Sequence, residues 1–103
     1  MTLTSKQRAY LKSLASDLEP VFQIGKATVT PEITSAIEET FNTHELVKIT
    51  VLKNCVEDFK DVDITVSERT RSELVQVIGR RFVLYKPFKD DPKIILPKAS
   101  KKN

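Results

Sequence analysis

Glycine, cysteine, histidine and tryptophan are scarce in this chain: two glycines (Gly25 and Gly79), one cysteine (Cys55), one histidine (His44) and no tryptophan in 103 residues. A lone cysteine cannot close an intrachain disulfide, so nothing calls for an oxidising compartment. One cysteine and one histidine also fall short of a structural zinc site. No apolar run approaches the ~20 residues of a membrane-spanning helix, and Met1-Thr2-Leu3-Thr4-Ser5-Lys6 lacks the apolar core of a signal peptide. The cytoplasm is therefore the expected location, with no membrane partner. No nucleophile–base–orienter set, P-loop, metal-ligand cluster or pair of catalytic carboxylates is visible. Asp61 and Asp63 have a two-residue spacing that puts them on different faces of a helix, so they do not form a site. The chain reads as a non-enzyme with no cofactor, metal or small-molecule substrate.

What is present describes one globular domain. The apolar fraction is 40% and the charged fraction 30%, which supports a core and a solvated surface. The expected domain covers residues 1–97, with a basic tail at 98–103, and a monomer is expected. Net charge is only +3, but it is unevenly placed. Residues 1–79 carry nine Lys/Arg against twelve Asp/Glu, whereas residues 80–103 carry eight against two. A basic end on a mildly acidic body suits a polyanion partner; a solubilising tail explains the last six residues equally well.

In chain order, Thr4 and Gln7 form a capping-box pattern before a helix over about Ser5–Ser16, with Tyr10, Leu11, Leu14, Ala15 and Leu18 as its apolar face. Lys6, Arg8 and Lys12 fall off that face, onto a solvated surface. Glu19-Pro20 ends the helix, and Val21–Ile24 reads as a short strand. A second helix runs from Pro31 to about Asn42 on an apolar stripe of Ile33, Ala36, Ile37 and Phe41. Leu46–Leu52 alternates as a strand, with Lys48 and Thr50 on one side. His44 precedes it with no acid–base partner in the sequence, as a cap or surface histidine.

The segment Cys55–Thr70 fits two patterns. Val56, Phe59, Val62 and Val66 keep helical spacing, while Val62–Val66 also alternates with β-branched residues. A helix is the reading chosen, because a parallel crossover needs one. Leu74–Ile78 and Arg81–Tyr85 then form a hairpin over Gly79-Arg80, where glycine at the first turn position predicts a type II′ turn. Both strands are apolar enough for the middle of a sheet with helices on one face, and Arg80 and Arg81 should project at the turn. Pro87, Pro92 and Pro97 leave Lys93–Leu96 room for only a short edge strand. The fold expected is an α/β two-layer sandwich: an N-terminal helix, then β-α-β-α-β-β on a four-stranded mixed sheet.

One stretch stands out within this order. Gln23–Glu32 joins the end of a strand to a helix start, with Thr30 as N-cap, Pro31 in the first turn and Glu32 at the positive end of the dipole. Between them lie Gly25 and Lys26. Such a loop can aim backbone N–H groups and a cation at a phosphate. An ordinary connection whose glycine serves a φ angle is the other reading of the same residues.

Four separated stretches together resemble one family. Leu3–Leu11, then Ile24-Gly25-Lys26 with Thr30-Pro31-Glu32, His44-Glu45-Leu46-Val47-Lys48, and Val75–Lys86 look like the YhbY-type CRM (chloroplast RNA splicing and ribosome maturation) domain. The resemblance runs from about Leu3 to Leu96. It implies an RNA-binding domain similar to the C-terminal domain of bacterial translation initiation factor three. Stand-alone bacterial members of that family are associated with precursors of the large ribosomal subunit; plant members act in group II intron splicing. The family's Gly-x-x-Gly loop, analogous to the backbone clamp of KH domains, maps onto Gly25-Lys26-Ala27-Thr28. Thr28 stands where the second glycine belongs, which crowds an incoming phosphate but offers a hydroxyl donor.

The reading that follows is a non-catalytic RNA-binding protein, with ribosomal RNA in precursor large subunits as partner and a role in ribosome assembly. Its candidate RNA contacts are Gly25, Lys26, Ala27, Thr28, Thr30, Lys48, Arg80, Arg81 and Lys86. Tyr10, Tyr85 and Phe88 are the few aromatics that could meet bases, and core packing is expected for the first two. The alternative is a ribosome-associated protein–protein adaptor that uses the acidic faces of the second and third helices.

Overall fold

Threonine starts two of the helices. The Thr4 Oγ1 accepts from the Gln7 N–H at 3.1 Å while Gln7 Oε1 accepts from the Thr4 N–H at 3.1 Å, a complete capping box for α1 (Ser5–Ala15). Thr30 caps α2 (Pro31–Thr40) through its hydroxyl, with Pro31 fitting the first turn. The computed structural model describes residues 3–26, 29–55 and 59–98. Its remaining elements are β1 (Phe22–Ile24), β2 (Leu46–Val51), α3 (Phe59–Thr70), β3 (Glu73–Ile78) and β4 (Arg81–Tyr85). The order is the expected one, an N-terminal helix followed by β-α-β-α-β-β.

The burial pattern settles the ambiguous segment. Val62, Asp63, Val66, Ser67 and Thr70 are buried, at offsets of one, four, five and eight, while Ile64 is half exposed. A strand would have buried Ile64 along with Val62 and Val66, so the period is helical. Cys55 stands outside α3, buried in the turn after β2, with its N–H bonded to Leu52 O at 3.1 Å. Val56, Glu57 and Asp58 lie outside the described residues.

The four strands lie in the order β1-β2-β4-β3. β1 and β2 are parallel, and β4 pairs antiparallel with both β2 and β3. The hairpin therefore folds its second strand inward. β4 is central and buried from Phe82 to Tyr85, and β3 is an edge strand with Val77 and Ile78 exposed. Gly79 takes φ +59° and Arg80 does not take a positive φ, as a type II′ turn requires.

Two apolar clusters cover the two faces of the sheet. Val47, Ile49, Val51, Phe82 and Leu84 face α2 and α3 through Ile37, Phe41, Val62 and Val66. The alternate positions Leu46, Val83 and Tyr85, with Val75, face α1 through Leu11 and Ala15. Helices on one face is thus right for α2 and α3 only; α1 lies on the other. Its apolar stripe is also narrower than its spacing implies, since Tyr10 and Leu14 are exposed. Arg8 is not on a solvated surface: its guanidinium donates to Leu74 O and Val75 O, where the β3 register shifts between Leu74 and Gln76.

Lys93–Leu96 forms no strand. The buried Glu45 carboxylate takes that segment's backbone donors instead, accepting from Phe88 N (2.8 Å), Lys93 N (2.9 Å) and Ile94 N (2.7 Å). Ile94 and Leu96 pack under α1, and Gln7 Nε2 donates to Pro97 O at 3.0 Å. A carboxylate with three N–H donors replaces the ladder an edge strand would have needed.

Candidate nucleic-acid interface

The strand directions bring three connections to one end of the sheet. These are the carboxyl ends of β1, β2 and β3, where ligands bind in many open α/β sheets. Leu52 N–H donates to Ile24 O at 2.8 Å, tying the loop after β2 to the loop after β1. Val51 N–H donates to Arg80 O at 2.7 Å, tying it to the β3–β4 turn. Gly25, Lys26, Lys53, Asn54, Arg80 and Arg81 thus share one end of the molecule.

Gly25 sits close to the loop after β2, and its φ angle does not call for glycine. Its backbone lies outside the left-handed region, but a Cβ would stand 3.0 Å from Asn54 Oδ1 and 3.3 Å from Leu52 Cδ1. Lys26 follows it, exposed in a turn. Ala27 and Thr28 lie outside the described residues. The start of α2 offers an anion less than its sequence implies. Pro31 has no N–H, Ile33 N–H goes to Thr30 Oγ1 at 3.1 Å, and Thr34 N–H goes to Thr30 O at 3.0 Å. At most the Glu32 N–H remains, beside that residue's own carboxylate. Thr30 therefore serves the loop by fixing the helix start.

The arginines of the turn divide their work. Arg80 folds back, its Nε donating to Val51 O at 3.0 Å and its Nη2 to Leu52 O at 3.1 Å. Arg81 pairs with Thr50 across the β2–β4 ladder, and both point to the α1 side of the sheet, beyond the part that α1 covers. Lys48 lies on the same face, opposite Val83. A groove of about 420 Å³ runs past Thr50, Lys53, Ile78, Arg80 and Arg81. A smaller slot of about 70 Å³ is lined by Lys48, Gln76, Ile78, Arg81 and Val83.

Among the described residues, neither concavity has a carboxylate on its walls. Three others do: one along α2 has Glu32 and Glu39, one between α2 and residues 87–93 has Glu38, Asp90 and Asp91, and one near Tyr85 has Glu73. Lys53, Gln76 and Ile78 were not singled out from the sequence. Because β1 and β2 are parallel with a helix between them, the residues leaving β2 had to emerge beside Gly25, and that would have pointed to Lys53.

Lys86 is not brought to this end. It follows β4, and its Nζ donates to Thr70 O, the last carbonyl of α3, at 2.9 Å. The ammonium also lies 5.9 Å from the centroid of the Phe41 ring. His44 is exposed near the end of α2, its Nδ1 2.8 Å from Thr43 Oγ1. Tyr85 is buried as expected, and burial, then the charge of Glu45, pushes its phenol above the usual range. Among the described residues there is no cluster of three or more His, Cys, Asp or Glu placed to hold a metal, and no helix is long and apolar enough to cross a membrane.

Comparison with known proteins bears on this geometry. A family model described as the CRS1/YhbY (CRM) domain matches residues 3–86. The chain is 44% identical over 95 residues to the "Probable RNA-binding protein YqeI" of Bacillus subtilis, covering 92% of this chain and 99% of that protein. An RNA-binding protein of Haemophilus influenzae is 36% identical over 97 residues, covering 94% and 97% of the two chains. The solution structure of the Staphylococcus aureus protein SAV1595, a candidate RNA-binding protein, superposes with a TM-score of 0.78 at 46% identity, covering 93% of this chain and all of the other.

Proposed function

This chain belongs to the CRS1/YhbY (CRM) domain family, and from that membership we propose that it is a non-catalytic RNA-binding protein. Its target in this proposal is ribosomal RNA in precursors of the large subunit, which it helps to assemble, acting as a cytoplasmic monomer. The observation that carries RNA binding is the pair of grooves sharing Ile78 and Arg81, which hold Lys48, Lys53, Arg80 and Arg81 with no carboxylate between them among the described residues. They adjoin the Gly25–Lys26 loop through Leu52 and Asn54.

The mechanism is electrostatic and geometric. Gly25 lets the chain pass close to the loop after β2, and Lys26, Lys48, Lys53 and Arg81 contact phosphates. Arg80 holds the β3–β4 turn against β2 so that Arg81 stays aimed. Lys86 lies outside this set and acts as an α3 cap. Filter binding to ribosomal RNA fragments at rising KCl is the test. Four phosphate contacts give a slope of about −3 in log affinity against log salt. A salt-independent affinity would overturn the proposal. Sedimentation of a lysate at low salt with the protein only in the free fractions would remove its ribosomal part.

The adaptor reading draws on the groove of α2 that carries Glu32 and Glu39. It predicts that Lys26→Glu with Arg81→Glu leaves binding to precursor particles intact, whereas RNA contact predicts its loss.

A further inference from the structure

The ridge between the two grooves is made by Arg81 and an aliphatic side chain, Ile78, which is 60% exposed. Ile78 is the last residue of β3 and pairs with Arg81; Gln76 pairs with Val83. Both side chains therefore lie on the same face as Lys48. The floor of the slot is Val83, which is buried. Gln76 has no hydrogen-bond partner for its side-chain amide among the described residues, and neither Lys48 nor Arg81 is ion-paired there. Ile64 and Ile95 are similarly exposed but line neither groove.

An aliphatic group in the middle of a phosphate-binding surface gains nothing from a phosphate, because the anion keeps its water and the apolar area stays wet. A continuous RNA helix presents phosphates and ribose to a protein and hides its base faces in the stack. An unpaired base presents an apolar face and a free hydrogen-bonding edge together. The slot supplies a partner for each: Ile78 for the face, the Gln76 amide as donor and acceptor for the edge, and Lys48 or Arg81 for the adjoining phosphate. At about 70 Å³ the slot is far smaller than the neighbouring groove of about 420 Å³, which suits the edge of one base and not a helix.

We propose that the Lys48–Gln76–Ile78–Arg81 slot is a subsite for one unpaired nucleotide, so that this protein selects RNA with a bulge, loop or single-stranded junction over uninterrupted duplex. The assignment rests on the RNA-binding reading above and adds base contact to it. It also supplies an alternative to exposed aromatics, of which the sequence offers few.

Fluorescence anisotropy with two labelled probes tests it: a fully paired RNA hairpin, and the same hairpin carrying one bulged adenosine. The unmodified protein is expected to prefer the bulged probe by about five- to tenfold, the scale of one base contact. Ile78→Ser and, separately, Gln76→Ala should each weaken the bulged probe more than the paired hairpin, and so reduce that preference. Thermal unfolding of each variant confirms that it is folded. Equal affinity of the unmodified protein for the two probes, or a preference that survives both substitutions together, overturns the subsite but leaves RNA binding standing. Failure to bind either probe overturns both.

Discussion

Arg80 and Val51 bond to each other twice: Val51 N–H donates to Arg80 O at 2.7 Å, and Arg80 Nε returns a bond to Val51 O at 3.0 Å. With the further bond from Nη2 to Leu52 O at 3.1 Å, one side chain closes the end of β2 and fixes the turn that carries Arg81. The two neighbouring arginines should therefore behave differently when replaced. Arg80→Ala removes two charge-assisted bonds at a partly solvated site and is expected to cost about 1–2 kcal/mol of stability. Arg81→Ala should leave denaturant unfolding unchanged and weaken RNA binding, with a shallower salt slope by ~0.7–0.9. Equal loss of stability in both variants would remove the distinction.

Lys86 makes the converse case. Its ammonium sits on the last carbonyl of α3 and near the Phe41 ring, at the end of the sheet away from the cationic grooves. Lys86→Met keeps the aliphatic stem but loses the charge, and is expected to destabilise the fold by about 1 kcal/mol. RNA affinity and its salt slope should be unchanged at a temperature where the variant is folded. A lower slope would return Lys86 to the binding surface.

What the sequence made legible was local. Thr4 with Gln7, Thr30 with Pro31, and Gly79 each announce a structure whose hydrogen bonds or dihedral the chain adopts within a few residues. What it hid was the direction a side chain takes after the chain has turned. Adjacent arginines at 80 and 81 are equivalent by spacing, and only the meeting with β2 makes one a strut and the other a free cation. The inward position of β4 was hidden for a similar reason, since two apolar strands of similar length do not say which pairs with β2. Tyr10 and Leu14 fit a helical stripe, but α1 covers only part of its sheet face and leaves them in solvent. Within the proposed site, Gly25 and Lys26 were visible as a loop motif, whereas Lys53, Gln76 and Ile78 join it only through the sheet register.

Glu45 should be the strongest stability determinant among the polar residues. It is 4% exposed and its two carboxylate oxygens accept three backbone N–H bonds from residues 88, 93 and 94. Glu45→Gln preserves the shape, but its amide nitrogen cannot accept, so one or more of those N–H groups lose their partner. The expected cost is about 2–4 kcal/mol, from lost charge-assisted bonds and a buried unpaired donor. Hydrogen exchange should report it first, as faster exchange at Phe88, Lys93 and Ile94 with the α2–α3 side of the sheet still protected. Uniform loss of protection would instead show that residues 87–98 do not detach separately.

Alkaline pH gives a test of Tyr85. Burial first, and the Glu45 charge second, raise its phenol above 10.0, so the folded protein holds that proton more tightly than the unfolded chain does. The contribution to stability is complete below the unfolded value of about 10 and is lost as pH rises through the higher folded value. Tyr85→Phe removes this titration. Its unfolding free energy should fall less steeply than that of the unmodified protein above pH ~10, while the two run parallel near neutrality. Identical slopes in the alkaline range would mean that other groups govern it.

Gly25 separates the roles of space and backbone conformation in the loop. Because its φ lies outside the left-handed region, alanine is not strained there, and the added Cβ meets chiefly the end of the Asn54 side chain at 3.0 Å. That side chain can turn away, so Gly25→Ala should change stability by less than about 1 kcal/mol. Gly25→Val adds branches toward Leu52 Cδ1, already 3.3 Å from the Cβ position, and should cost more than alanine through overpacking. If Gly25 serves binding by letting the loop lie close to Asn54, RNA affinity should fall from glycine to alanine to valine, and Asn54→Ala should restore the alanine variant. Rescue of affinity by Asn54→Ala identifies the contact as steric. Loss of affinity in Gly25→Ala that Asn54→Ala does not restore would mean that the phosphate itself passes over the glycine.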